Sequence, residues 1–273
     1  VIQAVQLADA PVGIFDSGVG GLSILRHVRE QLPHEHLLYF ADNLYSPYGE
    51  KSEEWLAERA LTITQFLLGR GAKALVVACN TATIAAIRLM RSHYPNLPIV
   101  GVEPGLKPAA VLSKSGKVGV LATDATLAGE KFLLLRDQVS QASEAEFLLQ
   151  ACTGLADQIE AGALDSEETL AMLSKYIAPL LDQGADTLVL GCTHYPFVRT
   201  AIETLLAGRA VTLVDTGDAV ARQLGRLLES GGIARAAGAS TLQGFTSGSM
   251  DGLKWGFENL LKVDAPVIQV DLP

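Results

Sequence analysis

The sequence predicts an α/β protein made of two pseudo-symmetric, doubly wound domains with mainly parallel sheets, and three observations carry that expectation. Short β-branched runs alternate with longer amphipathic segments along the whole chain, the pattern of parallel strands joined by crossover helices. The run Val12-Gly13-Ile14-Phe15-Asp16-Ser17 resembles Val118-Gly119-Val120-Leu121-Ala122-Thr123. Two cysteines repeat the theme at nearly the same offset, in Ala74-Leu75-Val76-Val77-Ala78-Cys79-Asn80-Thr81 and Thr187-Leu188-Val189-Leu190-Gly191-Cys192-Thr193-His194. Any two parallel strands look somewhat alike, so it is the matching offsets that favour duplicated halves.

In chain order, strands are expected at Val12–Phe15, Leu37–Phe40, Ala74–Ala78, Ile99–Val102, Val118–Leu121, Glu146–Ala151, Thr187–Leu190, Val211–Val214, Thr241–Thr246 and Val267–Val270. Helices fill the gaps. Trp55, Leu56, Leu61, Phe66 and Leu67 recur at near-helical spacing and read as core, with Gly69 and Gly71 closing that helix. Pro104-Gly105 and the turn Asp215-Thr216-Gly217 mark the crossings between halves. The first domain is then residues 1–103 plus 215–273, on the Cys79 side, and the second is residues 104–214, on the Cys192 side.

Composition narrows the chemistry. A chain of 273 residues, 49% hydrophobic and 19% charged, has ample apolar material for one large or two medium cores. A net charge of −9 with no Lys/Arg cluster repels a phosphate backbone, so nucleic acid is not expected as a primary partner. Arg70 and Lys73 interrupt the best apolar stretch before the ~18 residues a membrane span requires, so no membrane is expected either. Val1 to Ala10 lacks the features of a signal peptide, and three cysteines suit free thiols better than a disulfide framework. A reducing cytoplasm is the expected location.

A free thiol with pKa ~8.5 is only slightly ionised at neutral pH, so a reactive cysteine needs a local cause. Cys79 and Cys192 are each expected where a strand ends and a helix begins, where unpaired N–H groups favour an anion. Either one alone reads more readily as a core thiol; two in equivalent settings favour chemistry. Asp16-Ser17, Asn80, Thr81, Thr83, Thr193 and His194 would then line a cleft at the carboxyl ends of the strands, with donors suited to a small anionic ligand. Pro47-Tyr48-Gly49 lies in a polar loop where glycine allows close backbone approach, or is simply a turn. Asp16 fits a helix N-cap as readily as a site residue. His194, two residues after Cys192, fits proton transfer better than a core imidazole.

The blocks Ile14-Phe15-Asp16-Ser17-Gly18-Val19-Gly20-Gly21-Leu22, Pro47-Tyr48-Gly49-Glu50, Val77-Ala78-Cys79-Asn80-Thr81-Ala82 and Leu190-Gly191-Cys192-Thr193-His194-Tyr195-Pro196 resemble the motifs of the glutamate racemase family, in the family's order and across nearly the whole chain. The resemblance implies an enzyme that needs no cofactor, interconverts L- and D-glutamate, and supplies D-glutamate for peptidoglycan and so for cell-wall biogenesis and cell shape. It implies an active site between the two domains, with Cys79 and Cys192 as the acid/base pair on opposite faces of the α-carbon. Asp16 would assist Cys79 and His194 would assist Cys192. Glu160, in Ile159-Glu160-Ala161-Gly162, resembles a further acidic site residue, though a solvated helix position suits it nearly as well. Asp16, Ser17, Tyr48, Gly49, Asn80, Thr81, Thr193 and His194 match substrate-contacting positions, and Thr123 and Thr126 are weaker candidates for holding a carboxylate. A peptidoglycan-precursor activator and a homodimer are both compatible with the family.

Other readings fit the residues less well. Gly18, Gly20 and Gly21 leave Ser23 where a dinucleotide fingerprint needs its third glycine. His34-Glu35-His36 lacks a third ligand and reads as a solvated loop, so no metal is expected. Cys152 reads as a packing thiol. No C-x-x-C motif supports a redox dithiol. A racemase of another acidic amino acid such as aspartate stays open, although Cys-Thr-His resembles the glutamate branch. A non-catalytic binding protein for acidic amino acids also stays open, but it would not need both cysteines.

Overall fold

The computed structural model describes residues 7–273 of the chain. The reading of Val1 to Ala10 therefore falls largely outside the described residues. Ten strands succeed one another: β1 Val12–Asp16, β2 Leu37–Ala41, β3 Ala74–Val77, β4 Ile99–Gly101, β5 Lys117–Ala122, β6 Glu146–Ala151, β7 Thr187–Leu190, β8 Thr212–Val214, β9 Leu242–Thr246 and β10 Val267–Gln269. Each expected strand is present, with ends agreeing to within a residue.

The chain divides into two compact units, one running to Val102 and resuming at Gly217–Pro273, the other spanning Glu103–Thr216. The first holds a six-stranded sheet in the order β10-β9-β2-β1-β3-β4, the second a four-stranded sheet in the order β6-β5-β7-β8. Every strand pairing in both sheets is parallel. The order β2-β1-β3-β4 is repeated by β6-β5-β7-β8, so β1 corresponds to β5 and β3 to β7. Registers agree as well, with Phe15 opposite Val77 and Leu121 opposite Leu190. The likeness between the two Cys-bearing runs is thus a likeness of topologically equivalent strands. In each unit the chain leaves the central strand toward one side and returns on the other, the arrangement that opens a crevice beyond the carboxyl ends of the strands.

All five residues of β1 and all four of β3 are buried, which is why these strands read as continuous apolar runs instead of alternating ones. Helix Glu53–Gly69 shows how local sequence sets an element. The Ser52 hydroxyl accepts the Trp55 N–H, and Glu53 and Glu54 lie in the first turn, where the helix dipole favours negative charge. Leu56, Ala60, Ile63 and Leu67 face the core, and each larger apolar side chain contributes about 1.5–3 kcal/mol of burial. Trp55, Leu61 and Phe66 pack on its rim. Gly69 is the last helical residue; Gly71 does the terminating, with φ of +83° and the Ala72 N–H donating to the Leu67 carbonyl at 3.1 Å. In the second unit a separate core formed by Leu121, Leu155, Ile159, Leu173, Ile177 and Leu188 encloses Cys152 and Cys192.

The expectation of a solvated loop after Pro33 is corrected at Glu35. This carboxylate is buried, 2.5 Å from the Lys73 ammonium, and also accepts the Arg235 backbone N–H at 2.8 Å. Lys73 is fully buried and supplies the charge that draws Glu35 inward. Beside it, His34 Nδ1 lies 3.0 Å from the Gly238 carbonyl, and His36 Nδ1 accepts the Thr241 N–H at 3.1 Å. Among the described residues, no helix is long and apolar enough to cross a membrane.

Candidate active site

In the first unit the sequence-predicted residues collect at the carboxyl end of the sheet. Asp16 closes β1 and is fully buried; its Oδ1 accepts the backbone N–H of Ser17 at 2.7 Å. It is not the N-cap of the next helix, because Leu22–Gln31 begins at Gly21 without a side-chain cap. The turn between them is tight. A Cβ on Gly21 would lie 2.7 Å from both Asp16 Cβ and the Tyr39 hydroxyl, and that hydroxyl donates to the Gly18 carbonyl at 2.7 Å. Only glycine fits this close approach.

One strand over, Ala78 N–H donates to the Phe15 carbonyl at 2.8 Å, which brings the end of β3 beside the end of β1. Cys79 is then the N-cap of helix Asn80–His93, and its Sγ accepts the Ala82 N–H at 3.5 Å. A sulfur that receives a helix-start N–H is placed where negative charge is favoured. Asn80 and Thr81 occupy the first turn. Thr83 departs from the expected cleft wall: its hydroxyl donates to the Val77 carbonyl at 3.2 Å and accepts the Val102 N–H at 3.0 Å. It ties β3 to the segment after β4, so its hydrogen-bonding capacity is spent on structure.

Tyr48 and Gly49 lie in a single 3-10 turn after β2. Tyr48 is buried and belongs to the same apolar cluster as Cys79. Its hydroxyl donates to Asp42 Oδ2 at 2.6 Å, and Arg59 grips the same carboxylate through Nε at 2.9 Å and Nη2 at 2.8 Å. Burial first, then the Asp42 carboxylate, hold the Tyr48 phenol well above its ordinary range. Asp42 and Arg59 were not legible as site neighbours, although Arg59 is a charge set among Leu56, Ala60 and Ile63 on the core face of its helix.

The second unit builds a different device around Cys192. The helix expected directly after this residue is absent. A 3-10 segment, Tyr195–Val198, intervenes before helix Arg199–Leu206, with Pro196 in its opening turn. Proline has no N–H to give, so the helix-start donors found at Cys79 are not reproduced here. Instead Cys192 Sγ lies 3.5 Å from His194 Nδ1, and His194 Nε2 lies 2.6 Å from Glu160 Oε1. Glu160 is the last residue of helix Leu155–Glu160, so the solvated reading gives way to a specific contact. Burial pulls the His194 imidazole down, but the Cys192 sulfur and the Glu160 carboxylate outweigh it and hold the ring well above its ordinary value. The result is a chain of contacts from the Cys192 sulfur through the His194 ring to the Glu160 carboxylate, an imidazole beside a thiol with a third group that orients it.

Thr193 is buried beside this array. Thr123 caps helix Asp124–Ala128 by accepting the Thr126 N–H at 3.2 Å, and its hydroxyl donates to that of Thr126 at 3.0 Å. Cys152 is buried, its Sγ 3.6 Å from the Gln150 carbonyl, and burial pushes its thiol up to about 12. That is the setting of an inert thiol. Tyr195, fully buried nearby, is likewise held well above its ordinary range by burial and then by Cys192. Among the described residues, no cluster of three or more His, Cys, Asp or Glu is arranged to hold a metal.

Two parallel-sheet α/β units, each presenting a buried cysteine after its third strand, are the architecture of the Asp/Glu racemase class. Residues 21–224 match the family model of the Asp/Glu/hydantoin racemases. A glutamate racemase of Ectopseudomonas mendocina (strain ymp) is 56% identical over 221 residues, covering 81% of this chain and 83% of the relative. The crystal structure of glutamate racemase isoform RacE1 from Bacillus anthracis superposes with a TM-score of 0.87 at 32% identity, covering 97% of this chain and 98% of that one. Escherichia coli glutamate racemase, in complex with L-glutamate and the activator UDP-MurNAc-Ala, superposes with a TM-score of 0.86 at 32% identity, covering 97% and 99%. The chain belongs to the Asp/Glu/hydantoin racemase family. Within it, the chain stands among the glutamate racemases, which are isomerases.

Proposed function

We propose that the protein interconverts L- and D-glutamate without a cofactor by a two-thiol mechanism, Cys79 serving one face of the α-carbon and Cys192 the other. The observation that carries this reading is the equivalence of the two thiols: each comes after the strand that corresponds to the other's in the repeated sheet order, and each has its own means of holding negative charge. One sulfur, as thiolate, takes the α-proton, and the electron pair left on carbon gives a planar carbanion. The opposite thiol then delivers its proton to the other face and becomes the thiolate. Proton and charge balance over the cycle, and the reverse reaction exchanges the two roles.

Asp16, at the end of the strand beside that of Cys79, assists the first thiol; His194, held protonated by Glu160, assists the second. Ser17, Asn80, Thr81 and Thr193, together with main-chain donors at Tyr48-Gly49, suit the carboxylates and the charge that develops in the carbanion. Thr123 and Thr126 are weaker candidates for the same task, since the Thr123 hydroxyl already serves its helix start. The product supplies D-glutamate for peptidoglycan, in the cytoplasm. A peptidoglycan precursor as activator and a homodimer belong to the same reading.

The test is circular dichroism of L-glutamate with purified protein, with and without the precursor, for wild type and for Cys79→Ala and Cys192→Ala. The wild-type signal is expected to decay to zero and both variants to leave it flat. Ordinary racemisation by both folded variants would end the two-thiol reading.

A further inference from the structure

A buried ion pair is built around Asp42 beside the candidate site. Asp42 comes directly after β2, its N–H donating to the Asp16 carbonyl at 2.9 Å, so it stands next to the strand end that carries Asp16 and Ser17. Both Asp42 and Arg59 are buried, at 0% and 5% exposure. Arg59 spends its whole fork there: Nε and Nη2 on Asp42, and Nη1 on the main-chain oxygens of Leu272 at 3.2 Å and Pro273 at 2.8 Å. Its guanidinium also lies 4.4 Å from the ring centroid of Tyr45, in the same loop as Tyr48. Desolvating two charges offsets most of what their attraction returns, so such a pair contributes little to stability beyond what apolar packing would give. What it does provide is geometry. A bidentate arginine fixes a carboxylate in both position and plane, and that carboxylate accepts the Tyr48 hydroxyl at 2.6 Å.

A phenol has a single proton to donate, and here it is committed to Asp42. We propose that Asp42 and Arg59 are positioning residues for the Tyr48-Gly49 segment of the glutamate site, with the Tyr48 hydroxyl serving as the tether to that pair and not as a donor to substrate. The inference rests on the proposed placement of Tyr48 and Gly49 at the substrate. Glutamate is then read on this side by the main chain of the segment, which Asp42, Arg59 and the ring of Trp55, 6.1 Å from that of Tyr48, hold in place. The elevated phenol is a consequence, because a hydroxyl hydrogen-bonded to a buried carboxylate resists ionisation.

A double-mutant cycle separates a tether from a ligand. Tyr48→Phe and Asp42→Ala remove opposite ends of one hydrogen bond, so each is expected to raise KM for L- and D-glutamate by about 10-fold while kcat stays within about twofold. The double variant is expected to be no worse than the poorer single one. If the hydroxyl instead donates to substrate, the two effects multiply to about 100-fold, and the inference falls. It falls equally if folded single variants leave KM unchanged, or lose kcat with KM intact. Should Asp42→Ala not fold, Arg59→Lys keeps a cation beside Asp42 without the fork and completes the same cycle with Tyr48→Phe. Wild type assayed in parallel tells the two ideas apart: active wild type with multiplying effects sinks the tether alone, whereas wild type inert on glutamate sinks the substrate reading and the tether with it.

Discussion

Replacing Glu160 by Gln removes one negative charge from the Cys192 array and leaves its shape nearly unchanged. The 2.6 Å contact joins a His194 side chain that is 5% exposed to a Glu160 side chain that is 18% exposed, so solvent screens it little. A hydrogen bond to a charged group in such a setting contributes about 1.5–3 kcal/mol, which corresponds to about 10- to 100-fold in rate if the proton held at His194 is used in the rate-limiting step. Because the two enantiomers have equal free energy, the equilibrium constant is fixed at one. kcat/KM must therefore fall by the same factor from either side, and circular dichroism recorded from L- and from D-glutamate measures both. The sign of the pH effect follows from the Cys192 sulfur and then from this contact, which together raise the imidazole. His194 is raised above its ordinary 6.5, so its contribution to stability is complete below about pH 6.5 and is lost as pH rises through the raised folded value. The stability gap between wild type and Glu160→Gln, from urea unfolding, is expected to be largest below about pH 6.5 and to shrink as pH rises through the raised value of the imidazole. A kcat/KM within twofold of wild type together with a pH-independent gap would refute the assignment of Glu160 to His194.

Asp186 accepts the Ser113 hydroxyl at 2.6 Å and the Lys114 and Ser115 N–H groups at 2.8 and 2.7 Å, and these bonds outweigh its desolvation and hold its carboxyl down to about 2. Asp186→Asn is expected to cost about 1–2 kcal/mol of unfolding free energy above pH 4, after allowance for its partial exposure, and the cost should vanish as pH falls through 2. At Gly191 a Cβ would lie 2.8 Å from the Leu121 carbonyl, a main-chain atom that cannot swing aside. Gly191→Ala should cost about 1–3 kcal/mol in thermal unfolding and reduce kcat by displacing Cys192; wild-type values for both would contradict that packing. Lys73→Met strands the buried Glu35 charge and should cost about 3–5 kcal/mol, with the double variant Lys73→Met/Glu35→Gln recovering part of the loss; no recovery would mean that the ion pair is not the origin.

The central strands β1, β3, β5 and β7 were legible because they are buried on both faces and therefore spelled as nearly continuous apolar runs, whereas the outer strands β6 and β10, partly exposed, were legible from short β-branched or apolar stretches alone. The equivalence of Cys79 and Cys192 was legible for the same reason, since it is written into the strands that precede them. The segments beyond the strand ends were harder to read. Cys79 begins a helix and Cys192 does not, a difference set by a turn and by Pro196 in place of a repeated Asn-Thr-Ala opening. The hydroxyl of Thr83 looked available because its acceptor is the chain's own backbone and its donor, the Val102 N–H, lies 19 residues away. Glu35 and Lys73, and Asp42 and Arg59, are charges whose burial depends on a partner distant in sequence, and no local pattern announces such a pair. The contact of Glu160 with His194 crosses 34 residues; the resemblance to a family pointed to Glu160 only as a further acidic site residue and named no partner for it.

The central claim is that two different thiols work on opposite faces of one α-carbon, and its most direct test is hydrogen tracing in deuterium oxide. With L-glutamate as substrate, early sampling and chiral separation of the two enantiomers, NMR at the α-position should show deuterium in the D-glutamate formed while the remaining L-glutamate keeps its protium, because the thiol that delivers the new hydrogen is not the one that took the old. Deuterium appearing equally in both enantiomers from the start, or protium carried over into the product, would mean that one group serves both faces and would contradict the account.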